Sequence, residues 1–232
     1  MHRNTGRIAG RIARTTLVAV AILAPLALRT GRAEAQSRRR SSRYQAGPDY
    51  WVGLSLGYQD GFSVFDGDTG ANWRIGYTEQ IRATLEKTLQ PGTTIGVSAG
   101  FSNAPMTYTV GPNDPNSAAC FVQCQATGDI TQYMAFLHGG SAGTGFHWNY
   151  DLEGGFTEFS NFKTKDTDER IGPSDAKYDF SFGLGGGVGY AFSSTADLYV
   201  TQIFDFVLHP QGDNNGGAPH VPILRAGFRI GF

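Results

Sequence analysis

From Tyr50 onward one pattern dominates the chain: apolar residues alternate with polar or small ones, segment after segment. A period of two places each class on its own face of an extended strand, whereas a helix would need a period near 3.6. The C-terminal segment is the clearest case. Leu224, Ala226, Phe228, Ile230 and Phe232 share one face, and Arg225, Gly227, Arg229 and Gly231 share the other.

Seven more segments follow the rule. In 50–59, Val52, Leu54, Leu56 and Tyr58 oppose Gly53, Ser55 and Gly57. A second segment ends near Leu89, with Ile81, Ala83, Leu85 and Leu89 against Arg82, Thr84, Glu86 and Thr88. Its i, i+4 spacing also suits a helix, but Pro91-Gly92 turns it straight into the alternating segment 94–102. Segments 130–138, 146–157, 178–190 and 198–208 complete the set. The facing of 198–208 stays open, because Gln202 interrupts its even face and Asp205 its odd one.

The expected fold class is therefore all-β: an eight-stranded antiparallel up-and-down barrel. Short connections follow strands two, four and six, whereas longer polar segments, 60–72, 103–129, 158–177 and 209–219, follow the odd strands. Membrane barrels have this asymmetry of short periplasmic turns and long external loops. Composition points the same way. Gly is abundant, at 32 of 232 residues against about 7% in average proteins. The non-apolar strand faces are largely Gly and Ser, a poor hydrated surface but a suitable filling for a narrow lumen. Aromatics gather near strand ends: Trp51, Phe146, Trp148, Tyr190, Phe192 and Phe232 at one end, and Tyr58, Tyr77, Phe101, Phe156, Tyr178 and Phe206 towards the other.

Residues 1–35 read as a secretory signal peptide. Arg3, Arg7, Arg11 and Arg14 precede the apolar run 17–28, which is shorter than the ~20 residues of a membrane helix, and Ala33-Glu34-Ala35 places cleavage after Ala35. The leader carries six Arg and one Glu. Taken from 19 basic and 20 acidic residues, it leaves 13 and 19, a net charge of −6. That balance argues against a nucleic-acid partner. Residues 36–49 form a polar tail, and 50–232 the barrel. Cys120 and Cys124, in an exported chain, are expected to form a local disulfide.

An export signal, eight alternating strands and a terminal RAGFRIGF together resemble the OmpA/OmpX-type small outer-membrane β-barrels of bacteria. The resemblance implies an outer-membrane location and contact with outer-membrane lipid. It further implies that Phe228, Ile230 and Phe232 serve as the signal read by the barrel-assembly machinery.

The predicted lumen face carries opposite charges. Arg82, Arg225 and Arg229 are expected to pair with Glu86, Asp151, Glu153, Asp179 or Asp205, since unpaired buried charge is costly. Gly183, Gly185, Gly187 and Gly189 are expected to leave room for those arginines. The pattern points to a closed lumen and a structural or surface-interaction role through the external loops, with no catalytic residue, cofactor or metal site. Two other readings are a lipid-modifying enzyme using His209, His220 or Ser160, and a soluble exported barrel holding a small hydrophobic ligand. His138 and His147 flank a short turn on the opposite side.

Overall fold

The computed structural model describes residues 47–114, 119–140, 143–172, 176–209 and 219–232. The leader, its cleavage point and most of the polar tail lie outside the described residues. Among those described there are ten strands and no helix: β1 (Tyr50–Gln59), β2 (Phe62–Phe65), β3 (Asn72–Ile75), β4 (Thr78–Gln90), β5 (Thr93–Thr109), β6 (Gln123–Gly140), β7 (Gly145–Thr164), β8 (Lys177–Ser193), β9 (Ala196–Leu208) and β10 (His220–Gly231).

Eight of them close a barrel. β1 pairs antiparallel with both β4 and β10, and each later strand pairs with its sequence neighbour, including β5 with β6. This is the expected up-and-down order. Gly92, at φ +80° after Pro91, makes the tight β4–β5 turn that a side chain would strain.

The other two strands correct the reading of 60–72 as a polar loop. The pair β2–β3 continues the β1–β4 hairpin in the same register, from Gln59↔Thr78 to Phe62↔Ile75. Both strands break at 60–61 and 76–77, and across the break the inward positions shift by one. Gln59 and Thr78 point inward below it, and Phe62, Val64, Trp73 and Ile75 above it. Segments 103–129 and 158–177 are also less loop than expected. β5 runs on to Thr109, β6 begins at Gln123, and β7 continues to Thr164 through a bulge at Asn161 (φ +52°). The bulge turns Phe162 inward beside Phe159.

The outward faces decide the environment. Leu56, Val97, Val188 and Leu184 are more than half exposed, at 65, 59, 57 and 53%. A water-soluble barrel would turn such faces inward, and a ring of them far exceeds the apolar patch a soluble monomer exposes. On β7 the apolar exterior runs from Phe146 to Phe156. Ten residues at about 3.3 Å, tilted as barrel strands are, span about 25 Å of membrane thickness. Tyr58, Tyr77, Phe101, Phe156 and Tyr178 edge this belt at one end, and Tyr50, Phe146, Tyr190, Phe192 and Phe232 at the other. The soluble ligand-binding alternative does not survive this exterior.

The facing left open in 198–208 is settled. Asp197, Thr201, Ile203, Asp205 and Val207 point inward, whereas Gln202 shares the lipid face with Val200 and Phe204.

Candidate functional site

The barrel interior has two layers. In the membrane-spanning part it is charged. Arg225 on β10 donates through Nη1 to both carboxylate oxygens of Glu153 on β7, at 3.1 Å each, and Arg82 on β4 reaches the same carboxylate at 2.8 Å. Glutamines extend the layer. Arg225 Nη2 donates to Gln80 (3.4 Å), Gln80 to Gln132 (2.7 Å), and Gln132 to Asp205 (3.0 Å). Arg225 also lies 3.9 Å from Asp205.

A second group sits towards the short turns. Arg229 bridges Glu86 (3.1 Å) and Asp197 (3.0 Å) and lies over the Trp51 ring. Thr94 donates to Glu86, and His147 faces Asp197 at 3.4 Å. Beside them His138 pairs with Asp151 at 2.7 Å. Two expected partners are thereby corrected. Asp151 meets a histidine, and Asp179 meets His209 in the other layer; neither bonds an arginine among the described residues. Asp197, His138 and His147 belong to the network and were not foreseen. Extending the odd face of β9 back from Asp205 and Thr201 leads to Asp197, so a signal existed.

The glycines of β8 also serve different neighbours from those expected. A Cβ at Gly183 would strike Asp205 and crowd Glu153, one at Gly185 would strike Ile203, and one at Gly189 would strike His147. The missing side chains make room for acids, an isoleucine and an imidazole rather than for the arginines. One cavity in this layer, of about 20 Å³, is lined by Arg82, Glu86, His138, Tyr199 and Arg229, among others. That holds about one water molecule.

The outer layer is apolar. Trp73 packs edge-on to Phe162 (4.8 Å between centroids) and tilted against Phe159 (6.0 Å). Val64, Ile75, Met106, Tyr108, Ile130, Ile171, Val207 and Ile223 are fully buried around them. His209 is part of this core and not of an exposed loop. Its Nδ1 lies 2.6 Å from Asp179 Oδ2, and its ring packs on Trp73 at 5.2 Å. Tyr108 donates to Asp114 at 2.6 Å, and burial, before that bond, pushes the phenol well above its ordinary pKa. No loop pattern in the sequence announced this core, because its members come from seven strands and the segment at Ile171.

The other surface candidates stand apart. His220 is exposed at the start of β10, and Ser160 sits on β7 opposite Asp129. Cys120 and Cys124 are joined by a disulfide. Cys124 lies within β6, Cys120 is buried against the outer core, and the ring between them presents Phe121 almost fully exposed. Phe228, Ile230 and Phe232 all face the lipid side.

No protein-family model matches the sequence, and no curated protein matches it. Among solved structures the chain is similar to Neisserial surface protein A, with a TM-score of 0.52 and 12% identity over 81% of this chain and 100% of that one. It also aligns with the outer membrane protein OprG from Pseudomonas aeruginosa (TM-score 0.45, 11% identity, covering 80% of this chain and 96% of that one). A third match is the outer membrane protease OmpT from Escherichia coli (TM-score 0.43, 12% identity, 82% and 99%). At these identities the likeness concerns the fold. The fold is that of the small bacterial outer-membrane barrels, as the resemblance to the OmpA/OmpX type implied.

Proposed function

We propose that this outer-membrane barrel has a closed lumen and acts through its outer surface, as a structural or surface-interaction protein and not as a pore or an enzyme. One observation carries the reading: the interior is occupied in both layers, by the Arg82–Glu153–Arg225 and Glu86–Arg229–Asp197 bridges within the membrane and by the Trp73–Phe159–Phe162 core beyond it. An ion crossing the barrel would have to displace paired buried charges and then a packed aromatic core, both costly steps. What the barrel offers its surroundings is its rim: the β2–β3 hairpin, the disulfide ring and the ends of β7 and β8.

The buried position of His209 speaks against the lipid-hydrolase reading, since a general base must reach its substrate. Delivery by the assembly machinery through Phe228, Ile230 and Phe232 is part of the same proposal.

The test is twofold. Purified protein in planar bilayers should show no steady conductance, and it should release no acyl chain from glycolipid. A stable open channel would overturn the closed lumen. Hydrolysis abolished by His220→Ala or His209→Ala in a variant that still folds would put the enzyme first.

A further inference from the structure

The breaks in the first hairpin leave a feature that neither the lumen nor the closed-barrel reading uses. Where both strands step at Gly61 and Gly76, a groove of about 400 Å³ opens on the outside of the wall, lined by Phe62, Ser63, Arg74, Tyr77, Pro105 and Thr107 among others. It exists because two adjacent positions carry no side chain. A Cβ on Gly61 would press on the Ile75 carbonyl, and one on Gly76 on the Pro105 carbonyl and ring.

The two edges of the groove differ in chemistry. The lower edge continues the apolar belt: Tyr77, 62% exposed, stacks on Tyr58 at 5.9 Å between centroids, and both stand at the outer limit of the lipid-facing surface. The upper edge is a polar row. Arg74 on β3 has Ser63 of β2 and Thr107 of β5 as its cross-strand partners. Arg74 is exposed, and no ion pair or side-chain hydrogen bond joins its guanidinium to another described residue. At the break below it, the Asp60 carboxylate accepts from the Gly61 amide. Gln125 donates to the Thr107 hydroxyl at 3.4 Å, which leaves that hydroxyl's own proton free to be given elsewhere.

We infer that this groove binds the phosphate-bearing head group of a lipid in the outer leaflet. Arg74 supplies the charge-assisted contact, the Ser63 and Thr107 hydroxyls add donors, and the acyl chains run down over Tyr77 and Pro105 onto the belt. A guanidinium matches phosphate in both geometry and charge. The depth matches as well: the cation stands just above the apolar surface, where a lipid's phosphate meets its chains. A soluble anion would have no use for the apolar lower edge. The inference rests on the placement of the barrel in the membrane but not on the closed lumen.

The test uses the purified full-length barrel in detergent, with lipid retention read by native mass spectrometry. Three probes are compared: a phosphorylated lipid A, the same glycolipid stripped of phosphate, and inorganic phosphate. The phosphorylated lipid should be retained roughly tenfold better than the stripped one, as one charge-assisted contact predicts. Arg74→Gln should abolish that preference. Ser63→Glu, which sets a carboxylate opposite Arg74, should do the same, and both variants should keep their heat-modifiable migration. Equal retention of the two lipids by the wild type, an undiminished preference in either variant, or binding of inorganic phosphate as strong as that of the lipid would overturn the inference. A conducting lumen would overturn the proposed function and leave this result untouched.

Discussion

Arg225 and Glu153 lie on opposite walls of the barrel, on β10 and β7, and one guanidinium nitrogen of the arginine spans both carboxylate oxygens at 3.1 Å. The Glu153 side chain is wholly inaccessible and also serves Arg82. One carboxylate thus compensates two buried cations across the lumen.

Glu153→Gln should therefore destabilise the barrel by about 3–5 kcal/mol, because two guanidinium groups lose their shared counter-charge while remaining buried. Urea unfolding from lipid vesicles measures this. An unchanged midpoint would mean that Asp205, 3.9 Å from Arg225, replaces Glu153 without loss.

The outward faces make a paired prediction. Ala99→Arg should cost about 2–4 kcal/mol, the penalty for a cation near the bilayer centre. Gln202→Leu should stabilise by about 1 kcal/mol, since Gln202 faces lipid beside Gly186 and its amide reaches only the neighbouring Ile203 carbonyl. Vesicle unfolding of both variants checks the assignment, and opposite signs are the expected result. Loss of stability in Gln202→Leu would return that side chain to the lumen.

The outer core should behave as a separate layer. Trp73→Ala removes the largest side chain of that core and should cost about 3–5 kcal/mol locally. Because Trp73 stands beyond the belt, insertion should persist while amides of β2 and β3 exchange faster. Hydrogen exchange read by mass spectrometry tests this; uniform loss of protection across β8–β10 would show that the two layers unfold together.

At the tip of the hairpin, Lys177 on β8 donates to Asp68 at 2.9 Å. That hydrogen bond, and then the lysine's charge, holds the Asp68 carboxyl below its ordinary pKa of 3.8. A lowered carboxylate pKa stabilises the fold at pH above the ordinary value, and the contribution disappears as pH falls through the folded one. The link should thus be intact from neutral pH down to 3.8 and should open only as pH falls through the lower folded value. Its effect should be small, because both groups are in water. Side-chain NMR titration should give Asp68 a midpoint below 3.8; a midpoint that Lys177→Met leaves unmoved would assign the shift elsewhere.

Much of this fold was legible before any coordinates. Period two survives in the sequence because each strand lies between lipid and lumen, so every residue declares its side by its polarity. That rule placed Leu85, Val97 and Phe228 outside and Arg82, Glu86 and Arg225 inside, and the short turn at Pro91-Gly92 fixed which end carries the longer excursions. The rule is local, and it fails where the environment on the two sides changes. Above the belt, water replaces lipid and the interior becomes apolar, so 103–109 and 158–164 read as polar loops although they are strand. Tertiary structure alone decided the rest. The one-residue steps at Gly61 and Gly76 and the bulge at Asn161 reverse which alternate residues point inward, and they bring Trp73, Phe159, Phe162 and His209 together. Which acid meets which arginine likewise depends on the barrel's closure. Opposite walls come within bonding reach only when β1 meets β10, and no spacing along the chain encodes that distance.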